Sequence, residues 1–128
     1  MNRIVSTSAA VMLSLTFAGV PPAARSHHSF AMFDQSQKIS RQGTVRKVEW
    51  ANPHVLFLFE VAGKNGTVER YTVEAASVNK MVRRGWKANT LKAGERVSFT
   101  IHPLRNGKQG GMLISVGSAE PLLALLTS

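Results

Sequence analysis

From Gly43 onward the chain is built of short apolar stretches separated by turn residues, a pattern of small strands rather than long helices. The first stretch, Thr44-Val45-Arg46-Lys47-Val48-Glu49-Trp50, changes the parity of its apolar positions between Val45 and Val48. Successive side chains of a strand face opposite ways, so this slip predicts a bulge and a sharp bend. The second stretch, His54 to Val61, is apolar on both parities at its centre, as a strand buried on both faces would be. Ala62-Gly63-Lys64-Asn65-Gly66 predicts a hairpin loop, its Asn-Gly pair suited to positive φ. The return strand alternates Tyr71, Val73 and Ala75 with Arg70, Thr72 and Glu74.

The period then changes. Val78, Met81 and Val82 fall at helical spacing behind Ser77, a residue suited to cap a helix, and Gly85 follows Arg83-Arg84 as a stop. This short helix is expected to plug one end of a barrel. Val97, Phe99 and Ile101 alternate with Ser98, Thr100 and His102 in a fourth strand, and Met112, Ile114 and Val116 alternate with Leu113 and Ser115 in a fifth. Ahead of the first strand, Phe30-Ala31-Met32-Phe33 is an apolar patch expected to pack on the domain edge, and the polar run from Asp34 to Ser40 shows no period. The order β-β-β-α-β-β, with a bent first strand, predicts a mainly β fold, a five-stranded OB-like β-barrel with one short helix between strands three and four.

The first 26 residues read differently. Met1-Asn2-Arg3 is a positive start, Ile4 to Val20 is apolar, and Pro21-Pro22 precedes Ala23-Ala24-Arg25-Ser26, together the plan of a secretory signal peptide. Cleavage after Ser26 makes His27 the new N-terminus and residues 27–128 the domain, with no transmembrane segment left. Cleavage after Ala24 instead begins the chain at Arg25-Ser26-His27. With no cysteine there is neither a disulfide nor a thiolate site. A periplasmic or secreted bacterial protein is the expectation. The 16 Lys and Arg outnumber the 7 Asp and Glu, and this excess favours anionic partners. Single-strand nucleic-acid binding would rest on fold analogy and charge alone, and export argues against it.

Candidate chemistry centres on histidine. Trp50, Asn52 and His54 lie within five positions at the join between the first two strands, and Trp86 follows the helix. An aromatic plate beside an amide and an imidazole suits a planar or anionic small ligand. Asn-Pro also begins turns, which leaves His54 free simply to start a strand, and Trp86 fits a core role equally. For metal, four histidines and no cysteine point to copper, nickel or zinc at nitrogen ligands. The candidate ligands are His27, whose own α-amine would join its imidazole, with His28, His54 and His102. The catalytic inventory is poor: no cysteine nucleophile, no paired-carboxylate motif and no phosphate loop, while Ser29 beside His28 lacks an evident third member.

Four motifs in combination carry a resemblance. His27-His28-Ser29-Phe30, the run from Gly43 to His54 read as Gly-Thr-Val-x-Lys-Val-Glu-Trp-x-Asn-Pro-His, Arg83-Arg84-Gly85-Trp86, and His102-Pro103-Leu104-Arg105-Asn106-Gly107 resemble a family of small exported bacterial proteins known only as a domain of unknown function. The likeness runs from His27 to about Gly117. It implies an exported OB-like barrel and no particular reaction. The chain departs from the resemblance after the last strand, where Ser118-Ala119-Glu120-Pro121 leads to an apolar tail, Leu122-Leu123-Ala124-Leu125-Leu126, instead of a polar turn. Residues and resemblance together give two expectations: a non-catalytic periplasmic binding or accessory domain for a small ligand or protein partner, and a copper-binding protein using the mature N-terminal histidine.

Overall fold

The computed structural model describes residues 28–119. Strand β1 (Ile39–Glu49) serves two neighbours. Its first half, to Thr44, pairs antiparallel with β4 (Arg96–Pro103), and its second half, from Thr44, with β2 (Leu56–Ala62). The bend between the halves is the slip seen in the sequence: Val45 faces Phe59 and Lys47 faces Leu58, leaving Arg46 as the extra residue. The bulge is held in place by two backbone bonds, Val45 N–H to Glu95 O and Gly94 N–H to Val45 O, both 2.8 Å. The strand begins earlier than its apolar pattern suggests. Ser40 and Arg41 are exposed, so they carry no apolar period, yet their backbones pair with β4.

Strand β3 (Val68–Glu74) returns along the whole of β2, through a turn in which Asn65 and Gly66 take φ of 57° and 73°. Strand β5 (Gly110–Ser118) pairs antiparallel with β4 and meets β3 in only three parallel pairs, Thr72–Gly110, Val73–Gly111 and Glu74–Met112. Those pairs close the barrel in the order β1-β2-β3-β5-β4. With helix α2 (Val78–Arg83) between β3 and β4, the architecture is the five-stranded OB-like barrel the sequence predicts.

Closure depends on two glycines. A Cβ on Gly110 would lie 2.5 Å from the Thr72 carbonyl oxygen, and one on Gly111 would collide with the carbonyl oxygen of His102. Gly110 also has φ of 150°, which side-chain-bearing residues rarely adopt. These positions let β5 enter between β3 and β4.

The interior is filled from every strand and from α2. Phe59 and Phe99 stack at 4.3 Å between ring centroids, Tyr71 meets Phe99 edge-on at 5.9 Å, and Met81 of α2 is fully buried among them. Helix α2 contributes to the core through Met81. Strand β2, by contrast, is buried on one face only: Phe57, Phe59 and Val61 point inward, while Leu56 and Leu58 are half-buried on the outside. A five-stranded barrel has a single interior and no second layer to cover its outer face. Strand β5 also departs from simple alternation. Ile101 pairs with Leu113 and Thr100 with Ser115, so the bulge at Ile114 changes parity. Leu113 and Val116 pack on the core, and Ile114 is exposed.

Helix α1 (His28–Ala31) opens a lead-in clamped to the turn between β4 and β5. Phe33 is buried and bridges Leu104, Asp34 N–H donates to Pro103 O at 2.8 Å, and Arg105 donates from its backbone to Met32 O at 2.9 Å and from Nε to Ala31 O at 3.1 Å. The patch thus packs on the domain edge, through Phe33, while Phe30 and Met32 stay exposed. The Asp34 carboxylate accepts from Ser36 Oγ at 2.6 Å and Gln37 Nε2 at 2.9 Å. Chiefly the Ser36 hydroxyl, with the Ser36 amide, Arg105 and Gln37 adding to it, holds the Asp34 pKa below its ordinary value. No described helix is long and apolar enough to cross a membrane. The predicted leader, its cleavage site, His27 and the apolar tail lie outside the described residues.

Candidate functional site

The turn from Trp50 to His54 joins the bent β1 to β2, and its side chains go to different places. Trp50 is half-buried and packs against the core. Asn52 is exposed, precedes Pro53 through a cis peptide bond, and its Oδ1 accepts the Val78 N–H at 3.0 Å. That bond satisfies a first-turn donor of α2, which has no intrahelical partner. Ser77, in the capping position, makes no side-chain cap bond. The cap anticipated at Ser77 is thus supplied by Asn52, from 26 residues upstream.

His54 has a different partner. Its Nδ1 lies 2.7 Å from Glu74 Oε1, at the end of β3, with both side chains partly exposed. A ring that donates Nδ1–H to a carboxylate is fixed in orientation, and its Nε2 is left for another partner. The pair lines a cavity of about 320 Å³ whose other walls include Phe30, Met112 and Leu113, with Lys80 of α2 and Arg84 at its C-cap. The ion pairs among the described residues engage Arg46, Lys47, Arg70 and His54, and neither Lys80 nor Arg84 is part of one. The lead-in therefore folds back to the histidine: Phe30 shares a cavity wall with it.

The other predicted residues lie elsewhere. Trp86 sits tilted on Phe57 at 5.7 Å and walls two further cavities, of about 220 and 430 Å³. His102 lies on the outer face of β4, opposite Met112, with Nδ1 2.7 Å from Gln37 O, a contact in which Nδ1–H donates to the carbonyl. No three His, Asp or Glu side chains group closely enough to hold a metal ion among the described residues. Of the predicted metal ligands, His27 lies outside that range and only the backbone of His28 is described.

Sequence reasoning missed Glu74, Lys80 and Phe30 as cavity walls; Arg84 it offers, with Arg83, Lys87 and Arg105, as an anion-binding rim or, more simply, a solvated face. Glu74 reads as the polar member of an alternating strand, and Lys80 carries no signal of its own. Only the meeting of the β1–β2 turn, β3, α2, β5 and the lead-in gives them a common address. A family model, described as a family of unknown function (DUF6152), matches residues 15–114. No curated protein matches the chain.

Proposed function

The chain belongs to the DUF6152 family, and because that family has no known function we propose, from the residues themselves, that this is an exported, non-catalytic binding domain seated at the His54 cavity. The observation that carries the reading is the oriented imidazole. His54 is held by Glu74 at 2.7 Å on the wall of an open cavity that also offers apolar Phe30 and Met112 and the cations Lys80 and Arg84. This combination suits a small ligand with one anionic group and one apolar portion: the cations attract the charge, the imidazole Nε2 hydrogen-bonds, and the apolar wall excludes water. Export rests on the N-terminal leader pattern, Met1 to Ser26. The lack of a nucleophile motif supports the non-catalytic assignment.

The test is calorimetric titration of the protein with benzoate and phenyl phosphate as probes. Binding of either is expected, with His54→Ala and the Lys80→Ala/Arg84→Ala pair each weakening it at least tenfold and leaving the circular-dichroism spectrum unchanged. Equal binding by wild type and both variants refutes the site.

A second reading, copper binding through the mature N-terminal histidine, is supported by one observation: Phe30, three residues after His27, lines the same cavity as His54. A nitrogen-ligated Cu(II) resonance lost in both His27→Ala and His54→Ala would support it. A resonance unchanged by either substitution refutes it.

A further inference from the structure

Strand β5 has two edges that end differently. One pairs with β4 from Gly111 to Ser118; the other pairs with β3 only from Gly110 to Met112, because β3 ends at Glu74 and the chain leaves for α2. Beyond Met112, no backbone hydrogen bond among the described residues reaches β5 from that side. An unpaired strand edge is a template for another strand.

The space beside this edge is already shaped. Three cavities follow β5 in order: the His54 cavity at Met112 and Leu113, a second of about 220 Å³ at Leu113 to Val116, and a third of about 430 Å³ at Val116 to Ser118. The first two share Ala76 and Arg84 as wall residues, and the second and third share Trp86 and Val116. They follow one another along β5 as a groove walled by α2 and Arg84 at one end and by Trp86, Leu91 and the start of β4 at the other, about 20 Å long at roughly 3.3 Å per strand residue. Its middle is mixed: exposed Ile114 and half-buried Val116 and Trp86 stand there beside Ser115 and Arg84. At its His54 end stand Lys80 and Arg84, two cations engaged in no described ion pair.

We infer that this groove receives an extended acidic peptide, which adds as a strand to the open edge of β5, alternate apolar side chains in the groove and a carboxylate at Lys80 and Arg84. The inference rests on the proposed binding role of the His54 cavity for its acidic end. The free edge calls for extended backbone, since only a strand satisfies a row of unpaired amides and carbonyls. The unpaired cations, in a chain with 16 Lys and Arg against 7 Asp and Glu, call for negative charge.

The experiment is fluorescence-anisotropy titration of the full chain with a labelled six-residue peptide of alternating valine and threonine ending in aspartate. Two isomers carry N-methyl groups on one or the other set of alternate amides. The parent peptide is expected to bind. One isomer should lose at least tenfold while the other does not, because only one set of amides faces β5. Asparagine in place of aspartate, with an amidated C-terminus, should weaken binding about tenfold, as should Arg84→Glu. Ile114→Lys, outside the His54 cavity, should abolish peptide binding while leaving benzoate binding intact. That pattern separates failure of the groove from failure of the cavity. Absence of peptide binding, equal binding by both N-methyl isomers, or peptide binding that appears only in Leu123→Glu/Leu125→Glu protein would overturn the inference. The last result would make the chain's own C-terminal segment the occupant.

Discussion

Asn52→Ala isolates the hydrogen bond that ties the β1–β2 turn to α2. The substitution removes the acceptor of a 3.0 Å hydrogen bond from Val78 N–H. The site is exposed, so water can replace the lost oxygen, and the loss belongs in the middle of the ordinary range for a hydrogen bond, about 1 kcal/mol. No second cap compensates, because the Ser77 side chain makes no capping bond. For a domain of this size about 1 kcal/mol corresponds to a melting-point drop of roughly 4–8 °C. Thermal unfolding followed by circular dichroism measures it, with Asn52→Asp as the control that keeps an oxygen at the helix start. An unchanged melting temperature in Asn52→Ala, or an Asp variant no more stable than the Ala variant, would show that Asn52 does not hold the helix. Benzoate affinity at the His54 cavity should be almost unaffected, since Asn52 does not line it.

Gly111→Ala should destabilise by about 1–3 kcal/mol, the usual range for overpacking, since its Cβ would meet His102 O and lie 3.0 Å from Ile101 Cδ1. Gly117→Ala on the same strand, with nothing within 4 Å of the added carbon, should stay within about 0.5 kcal/mol of wild type in urea unfolding; equal losses at both positions would refute the closure argument. The folded-state pKa of Asp34 is lowered, so its contribution is complete above the unfolded carboxylate pKa, about 3.9, and fades as pH falls through the lower folded value. Asp34→Asn should therefore flatten the acid limb of the stability profile below about pH 4. Superimposable acid limbs in the two proteins would contradict it.

Local signals carried the fold a long way. The parity slip between Val45 and Val48 becomes a real bulge at Arg46, Asn65-Gly66 takes the positive φ its residues suit, and Gly85 ends α2 with φ of 86°. Each depends on a few neighbouring residues. What escaped depends on partners far along the chain. Ser40 and Arg41 pair through backbone with Thr100 and Phe99, which leaves no mark on side-chain pattern. Leu56 and Leu58 look like core residues until the barrel turns them outward. The bulge at Ile114 exchanges the inward positions of β5, and no turn residue announces it. For the site, His54 stood out because imidazole is rare and versatile. Glu74, Lys80 and Arg84 are ordinary surface residues until elements distant in sequence meet around one cavity.

The three-pair meeting of β3 and β5 also bears on how the barrel forms. Hairpin β2–β3 joins neighbours in sequence, whereas Thr72 and Gly110 are 38 positions apart and must meet across α2 and the whole of β4. Contacts that close so long a loop are entropically expensive and develop late, after local hairpins. The seam is also the shortest of the strand pairings, so its amides should be among the first to exchange with solvent by local opening, ahead of those shared by β2 and β3. A barrel that loosens first at its shortest seam keeps its most yielding edge beside the groove where a partner strand would lie.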